Sequence, residues 1–330
     1  MRRLLTLLLF PALINGCSKD KGNDAPIVKA DTLSTGWSKT NNIFLSNTNT
    51  FGGDLCFVNQ LTGYASDNKN QVMKTVDGGI TWSEIATGIE AVQMTVTPGN
   101  TLFLVSNDLD SIFRFSNGGV SLTRSSTFGN QAQDIFFSDN QTGICVTNAN
   151  ILLTRNGGES WTAIGNIPNI SSLDIRMPGV TINGNNAWVV YDKYIYHSHD
   201  DFVTWTLDSV APIVLNMGLL TVTAPSANTV YTSSFTGFTF KSTDGGNSFA
   251  FITTPRDVFV QNSFSDIQFL TDNTGYLSTG SRIFKTSNGG NTWEKVVAMG
   301  QTDIVEIYFV DPQHGWALCS DGSILRYNQP

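Results

Sequence analysis

A short phrase returns six times along this chain, and its spacing restricts the fold more than any other feature. It reads Thr75-Val-Asp77-Gly-Gly-Ile-Thr-Trp82, Ser116-Asn117-Gly-Gly-Val-Ser-Leu122, Arg155-Asn156-Gly-Gly-Glu-Ser-Trp161, His199-Asp200-Asp-Phe-Val-Thr-Trp205, Thr243-Asp244-Gly-Gly-Asn-Ser-Phe249 and Ser287-Asn288-Gly-Gly-Asn-Thr-Trp293. The Asp/Asn positions lie 40, 39, 44, 44 and 44 residues apart. A period of about 40–45 residues is one supersecondary unit per repeat, the size of a four-stranded propeller blade.

Each position of the phrase has a structural duty. Asp or Asn accepts hydrogen bonds from backbone amides a few residues on, and the glycines take left-handed conformations at little steric cost. The large residue five places later (Trp82, Leu122, Trp161, Trp205, Phe249 or Trp293) opens the outgoing strand. Three places before the Asp/Asn stands a mostly basic residue: Lys74, Arg114, Leu153, His197, Lys241 or Lys285. A second phrase precedes most copies, as in Cys56-Phe-Val-Asn-Gln-Leu-Thr62-Gly63-Tyr, Phe136-Phe-Ser-Asp-Asn-Gln-Thr142-Gly143-Ile, Phe269-Leu-Thr-Asp-Asn-Thr274-Gly275-Tyr and Tyr308-Phe-Val-Asp-Pro-Gln-His314-Gly315-Trp. It reads as strand, tight turn, strand. With degenerate copies it occurs seven times, one more than the first phrase.

The unmatched seventh copy is explained by closure. Ser323-Ile-Leu-Arg326-Tyr aligns with Arg282-Ile-Phe-Lys285-Thr, and the missing outer strand appears near the start as Ser34-Thr-Gly-Trp37-Ser-Lys-Thr. The sequence therefore predicts an all-β, seven-bladed propeller over 35–330, its last blade assembled from N- and C-terminal strands, with about 42 residues per blade.

The start of the chain predicts export. Arg2-Arg3 precede an apolar run from Leu4 to Ile14 that is broken by Pro11 and is shorter than the ~20 residues of a membrane span. Ile14-Asn-Gly16-Cys17 resembles a bacterial lipobox, so residues 1–16 read as a lipoprotein signal peptide and Cys17 as the lipidated first residue of the mature chain. Residues 17–34 are polar and without periodicity, as in a flexible tether. The expected location is the outer membrane, on its periplasmic face or at the cell surface, with membrane contact through the lipid on Cys17 alone. Without Arg2 and Arg3, the 19 basic residues become 17 against 27 acidic, a net charge of −10. That balance excludes nucleic acid and anionic lipid as natural partners, since both demand concentrated Lys and Arg. Cys56, Cys145 and Cys319 read as buried small hydrophobes in inner strands, with a bridge between Cys56 and Cys319 left open.

Repeated boxes joined to Thr-Gly-Tyr/Trp hairpins match the Asp-box of BNR-repeat proteins, and the combination resembles the photosystem II stability/assembly factor family of propellers. The resemblance covers Gly36 to Tyr327 and implies a non-enzymatic protein-binding or assembly module; the chain is expected to be a monomer. Its shared motifs are structural, so Asp77, Asn117, Asn156, Asp200, Asp244 and Asn288 are expected to be scaffolding.

The residues of an enzyme are not assembled in this sequence. A sialidase requires an arginine triad, a Tyr/Glu nucleophile pair and an acidic proton donor. Of seven mature arginines, Arg114, Arg155 and Arg326 belong to the repeat, and Ile175-Arg176-Met-Pro178 stands in the wrong place for the family signature. Tyr196-His197-Ser-His199-Asp200 has metal-like spacing on a strand, yet its members occupy repeat positions. Asn107-Asp108-Leu-Asp110-Ser111 lacks the ligand count of a calcium loop. No catalytic residue, metal or cofactor is expected. Ligand sites on propellers favour the rim opposite the boxes, where loops from several blades converge. The candidate binding rim is therefore Asp67, Lys69, Asp108, Asp110, Tyr191, Asp192, Lys193, Phe235, Arg256, Asp257 and Phe259. The expected partner is an envelope protein or polysaccharide, and the alternative is a carbohydrate-binding or glycoside-hydrolase propeller.

Overall fold

Short runs of alternating apolar and polar residues between glycine-rich turns leave the chain no option but strands. The computed structural model describes residues 31–44, 53–67, 69, 71–106, 109–116, 118–119, 121–126, 130–167, 179–209, 218–234, 237–252, 254–255 and 265–329, and these hold 29 strands and no helix. No helix among them is long and apolar enough to cross a membrane.

The strands form seven antiparallel sheets. The first two strands are β1 (Thr32–Leu33) and β2 (Trp37–Asn42). Blades 1 to 6 then run in sequence order from their inner strands β3 (Leu55–Phe57), β7 (Ala91–Val96), β11 (Ala132–Phe137), β15 (Gly179–Asn183), β19 (Leu219–Thr223) and β23 (Ser265–Phe269). Blade 6 ends in β24 (Gly275–Thr279), β25 (Arg282–Thr286) and β26 (Glu294–Ala298). Blade 7 comprises β27 (Ile304–Asp311), β28 (His314–Cys319) and β29 (Ser323–Asn328), and β2 completes it in the expected register, Trp37 opposite Tyr327 and Ser38 opposite Arg326. This joins the two ends of the chain in one sheet. One detail departs from expectation: β1 adds a fifth strand to blade 6, with Thr32 opposite Ala298. β1 thus lies inside the segment read as tether. Ala298 is the end of β26 remote from its box, so the chain enters the propeller on the rim opposite the boxes.

Packing explains the Phe…Gly-Tyr/Trp phrase. Phe137 faces Gly143 across the hairpin, and a Cβ on Gly143 would come within 2.7 Å of its ring. The missing side chain lets the phenylalanine lie flat over the neighbouring strand. The previous blade then stacks an aromatic ring on it: Trp316 on Phe57 at 3.5 Å, Phe103 on Phe137 at 4.0 Å, Tyr231 on Phe269 at 3.4 Å and Tyr276 on Phe309 at 3.6 Å. Such pairs contribute about 0.5–1.5 kcal/mol each beyond area burial. They tie blade to blade rather than stabilising a blade by itself, and the apolar clusters likewise fill the spaces between sheets, as Trp37, Phe309 and Tyr276 do between blades 6 and 7.

Candidate functional site

The box turns are saturated with internal hydrogen bonds. Asp77 accepts the amides of Ile80 (3.0 Å) and Thr81 (2.9 Å) and the Thr81 hydroxyl (2.5 Å), while the Thr75 Oγ1 accepts the Gly79 amide at 2.8 Å. Asp200 and Asp244 repeat the pattern with Thr204 and Ser248. Donation from those hydroxyls and amides holds both carboxyls down at about 2. Asn156 and Asn288 serve as well: each accepts the same backbone amide, then reverses the side-chain bond by donating Nδ2 to Ser160 Oγ (2.9 Å) or Thr292 Oγ1 (2.8 Å). Asn117 lies outside the described residues. The first box glycine also donates to the hairpin turn of its own blade, as Gly78 does to the Leu61 carbonyl (2.8 Å) and Gly289 to that of Asn273 (2.9 Å). Both turns therefore share one rim.

The repeated basic position reaches across to the next blade. Lys74 Nζ donates to the Gly118 carbonyl at 2.6 Å, and Arg326 Nε donates to that of Gly78 at 2.6 Å. Trp316 Nε1 joins the same Gly78 oxygen (2.9 Å), and Trp188 Nε1 takes the Gly245 oxygen (2.7 Å). In blade 4 the histidines fill this place. His197 is buried, with Nε2 2.9 Å from Asp208 Oδ2 and Nδ1 3.0 Å from His199 Nε2; His199 Nδ1 lies 2.9 Å from Asn186 Oδ1. Desolvation and the neighbouring ring hold His199 below the usual histidine range. The strand spacing does bring the two rings together, but each of these nitrogens already has a protein partner. Among the described residues no three His, Cys, Asp or Glu side chains converge as metal ligands.

Six of the eleven candidate rim residues are described. Asp67 is buried, and its Oδ1 accepts the amides of Lys69 and Gln71, both at 2.9 Å, so it shapes its own loop. Tyr191 is buried in the core, and the Asp192 backbone has φ 53° and accepts the Leu219 amide at 2.6 Å. Lys69 and Lys193 are exposed, and the Lys193 ammonium lies 5.3 Å from the Tyr194 ring centre. Asp110 is on a strand, Leu109–Ser116. Asp108, Phe235, Arg256, Asp257 and Phe259 lie outside the described residues, as does Cys17. The other three cysteines are buried free thiols. Burial pushes Cys319 up to about 12 and raises Cys56 and Cys145 as well.

The sequence reading missed a ring of acids in the central channel. Asp54, Asp134, Asp266 and Glu306 stand at the same position of their inner strands, three residues before Phe57, Phe137, Phe269 and Phe309. Two carboxylate oxygens on each aspartate do two jobs. Asp134 Oδ1 accepts the Ile135 amide and Oδ2 the Val180 amide of the next blade, both at 2.7 Å. Asp266 does the same with Ile267 (2.7 Å) and Ile307 (3.1 Å), and Asp54 with Leu55 and Met94. Burial and mutual repulsion outweigh these donors, raising Asp54 to about 8 and Asp134 to about 7. Glu306 is raised by burial and by Asp266, to which it is hydrogen-bonded. Extending the four hairpin phrases two or three residues further back would have exposed the ring.

Comparison with known proteins finds no matching family model and no curated protein with significant similarity. Solved structures match throughout. YCF48 bound to a D1 peptide aligns with a TM-score of 0.68 at 16% identity, covering 93% of this chain and 100% of the other. This chain has the seven-bladed propeller fold. YCF48 from Cyanidioschyzon merolae gives 0.67 at 16% identity, covering 89% and 99%. A GH74 xyloglucanase from Xanthomonas campestris gives 0.65 at 14% identity, with 88% of this chain on 53% of the enzyme.

Proposed function

We propose that this chain is a non-catalytic propeller, lipid-anchored through Cys17 in the bacterial envelope, that binds a polypeptide partner. The observation that carries the reading is the state of the channel carboxyls. A glycosidase needs two carboxyl groups flanking an open, substrate-sized space, one able to deliver a proton and one to attack or activate water. Here Asp54, Asp134 and Asp266 spend both oxygens on backbone amides of adjoining blades, and Glu306 is engaged with Asp266. The box carboxylates are equally occupied by their own turns. A fold shared with a peptide-bound YCF48 supports a polypeptide ligand. The exposure of Lys69 and Lys193 supports a contact on the rim where the chain enters. Extended, residues 17–30 would reach about 50 Å, enough to present either rim to envelope neighbours.

The second reading, a carbohydrate-binding propeller, is favoured by the GH74 likeness. Pull-down from detergent-solubilised envelopes, run beside a glycan array and a chromogenic glycosidase panel, separates the two. A discrete protein partner lost in Lys193→Glu supports the first reading. Glycan binding or turnover without such a partner would replace it.

A further inference from the structure

The contact between blades 6 and 7 lacks a contact that several other seams share. At three seams a basic residue or an indole donates to the first glycine carbonyl of the next blade's box: Lys74 to Gly118, Arg326 and Trp316 to Gly78, Trp188 to Gly245. Between blades 3 and 4, Arg155 Nη2 donates to the Asp201 carbonyl at the same box position (3.0 Å). Lys241 also lies close to Gly289, its Nζ 2.8 Å from where a Cβ would stand. Lys285 is the equivalent residue of blade 6. The strands that a box would join in blade 7, β29 and β2, come from opposite ends of the chain, and no box turn lies over Lys285 among the described residues. Its ammonium instead hangs between the rings of Tyr276 (5.7 Å) and Tyr327 (5.8 Å), with no hydrogen bond or ion pair to a described residue.

An open cavity of about 380 Å³ occupies this place, lined by Lys285, Ser287, Thr292, Trp293 and Glu294. That size falls within the range of small ligand sites. Glu294 is the direct cross-strand neighbour of Lys285, yet the two side chains form no ion pair. A strong donor and a strong acceptor therefore stand side by side and unspent, as complements of the two halves of a peptide group. The Trp293 Nε1 beside them is buried without a partner.

We propose that the blade 6–blade 7 seam is a receptor for a glycine-containing turn of another polypeptide. The turn would set a backbone carbonyl on Lys285, where three other seams receive a box glycine, and a backbone N–H on Glu294, with the two tyrosine rings flanking the cation. Glycine is favoured in the ligand because the carbonyls accepted at other seams belong to residues in the left-handed region, such as Gly78 (φ 73°) and Gly245 (φ 76°), which glycine adopts at least cost, although Asp201 (φ 62°) serves in blade 4. A free carboxylate alone is disfavoured by Glu294. The site lies on the box rim, away from Lys193, and stands independently of the partner assigned there.

The test is fluorescence anisotropy of a labelled cyclic peptide carrying the blade 5 box, residues 242–249, titrated with the full mature chain. A second peptide replaces both glycines by alanine. Wild type should bind the first and not the second. Lys285→Met keeps the aliphatic stem and should weaken binding at least tenfold with an unchanged melting temperature, and Glu294→Gln should weaken it less. Lys193→Glu should bind as wild type does. Equal binding by Lys285→Met, or equal binding of the alanine peptide, overturns the proposal. So does a wild type that binds nothing up to millimolar peptide. Binding that emerges only when Gln329 and Pro330 are deleted would make the seam a lock for the chain's own end, and would overturn it too.

Discussion

Replacing Asp134 by asparagine should make the pH dependence of stability visibly shallower. In the folded protein the Asp134 carboxyl is raised from 3.8 to about 7 by burial, against the pull of the Val180 and Ile135 amides and with added repulsion from Asp266. The carboxyls of Asp54, Asp266 and Glu306 face it across the channel. A raised pKa means that the folded state holds the proton more tightly than the unfolded chain. The resulting stabilisation is complete below about pH 4 and is lost as pH climbs through 7. Three units at 1.36 kcal/mol each set an upper figure of about 4 kcal/mol. Part of Asp134 remains accessible from the channel, so a discounted value on the order of 2–4 kcal/mol is expected. Asparagine matches the neutral acid in shape, keeps one acceptor and cannot titrate. Guanidinium unfolding at pH 4.5, 6 and 8 should show Asp134→Asn less stable than wild type in acid, with the gap closing or reversing by pH 8. A gap independent of pH would refute burial as the controlling effect. A gap that widens with pH would show that the two amide donors win and the folded pKa is depressed.

The remaining expectations concern separate parts of the chain. Asp244→Asn should be nearly neutral, because Asn156 and Asn288 make the same turn, whereas Asp244→Ala should cost on the order of 1–2 kcal/mol by thermal melting. The Asp244 contribution is present above the unfolded pKa and should fade as pH drops from about 4 through about 2. Gly143→Ala would force its Cβ to within 2.7 Å of Phe137 and disturb the Phe103 stack, so a melting temperature lowered by several degrees is expected. A thiol reagent should leave Cys56, Cys145 and Cys319 unlabelled until guanidinium unfolds the protein. An alkyne-tagged fatty acid should label wild type and not Cys17→Ser.

The blades were legible because turn chemistry is local: Asp-Gly-Gly-x-Ser/Thr-Trp dictates its own hydrogen bonds, and six copies declare the period. Register at the closure was legible too, since Trp37 and Trp293 begin equivalent strands. The targets of the basic residues were not. Lys74 meets Gly118 only after two blades pack, and nothing near either residue reveals the pairing. The channel acids were hidden for a related reason. Asp134 alternates with buried Ile135 as any strand residue would, and only closure of the ring decides that its face looks inward. Asp67 shows the opposite error: an acid in a loop suggests a ligand contact, yet here it supplies the acceptor that its own turn requires.

The central claim is that the entry rim holds a polypeptide, and site-specific photo-crosslinking in intact envelopes tests it most directly. A photoreactive phenylalanine analogue placed at Lys193 should yield one discrete adduct that disappears on protease treatment, while the same analogue at Leu122, exposed on the outer edge of blade 2, should yield none. An adduct at Lys193 that resists protease and is removed by glycosidases would contradict the account.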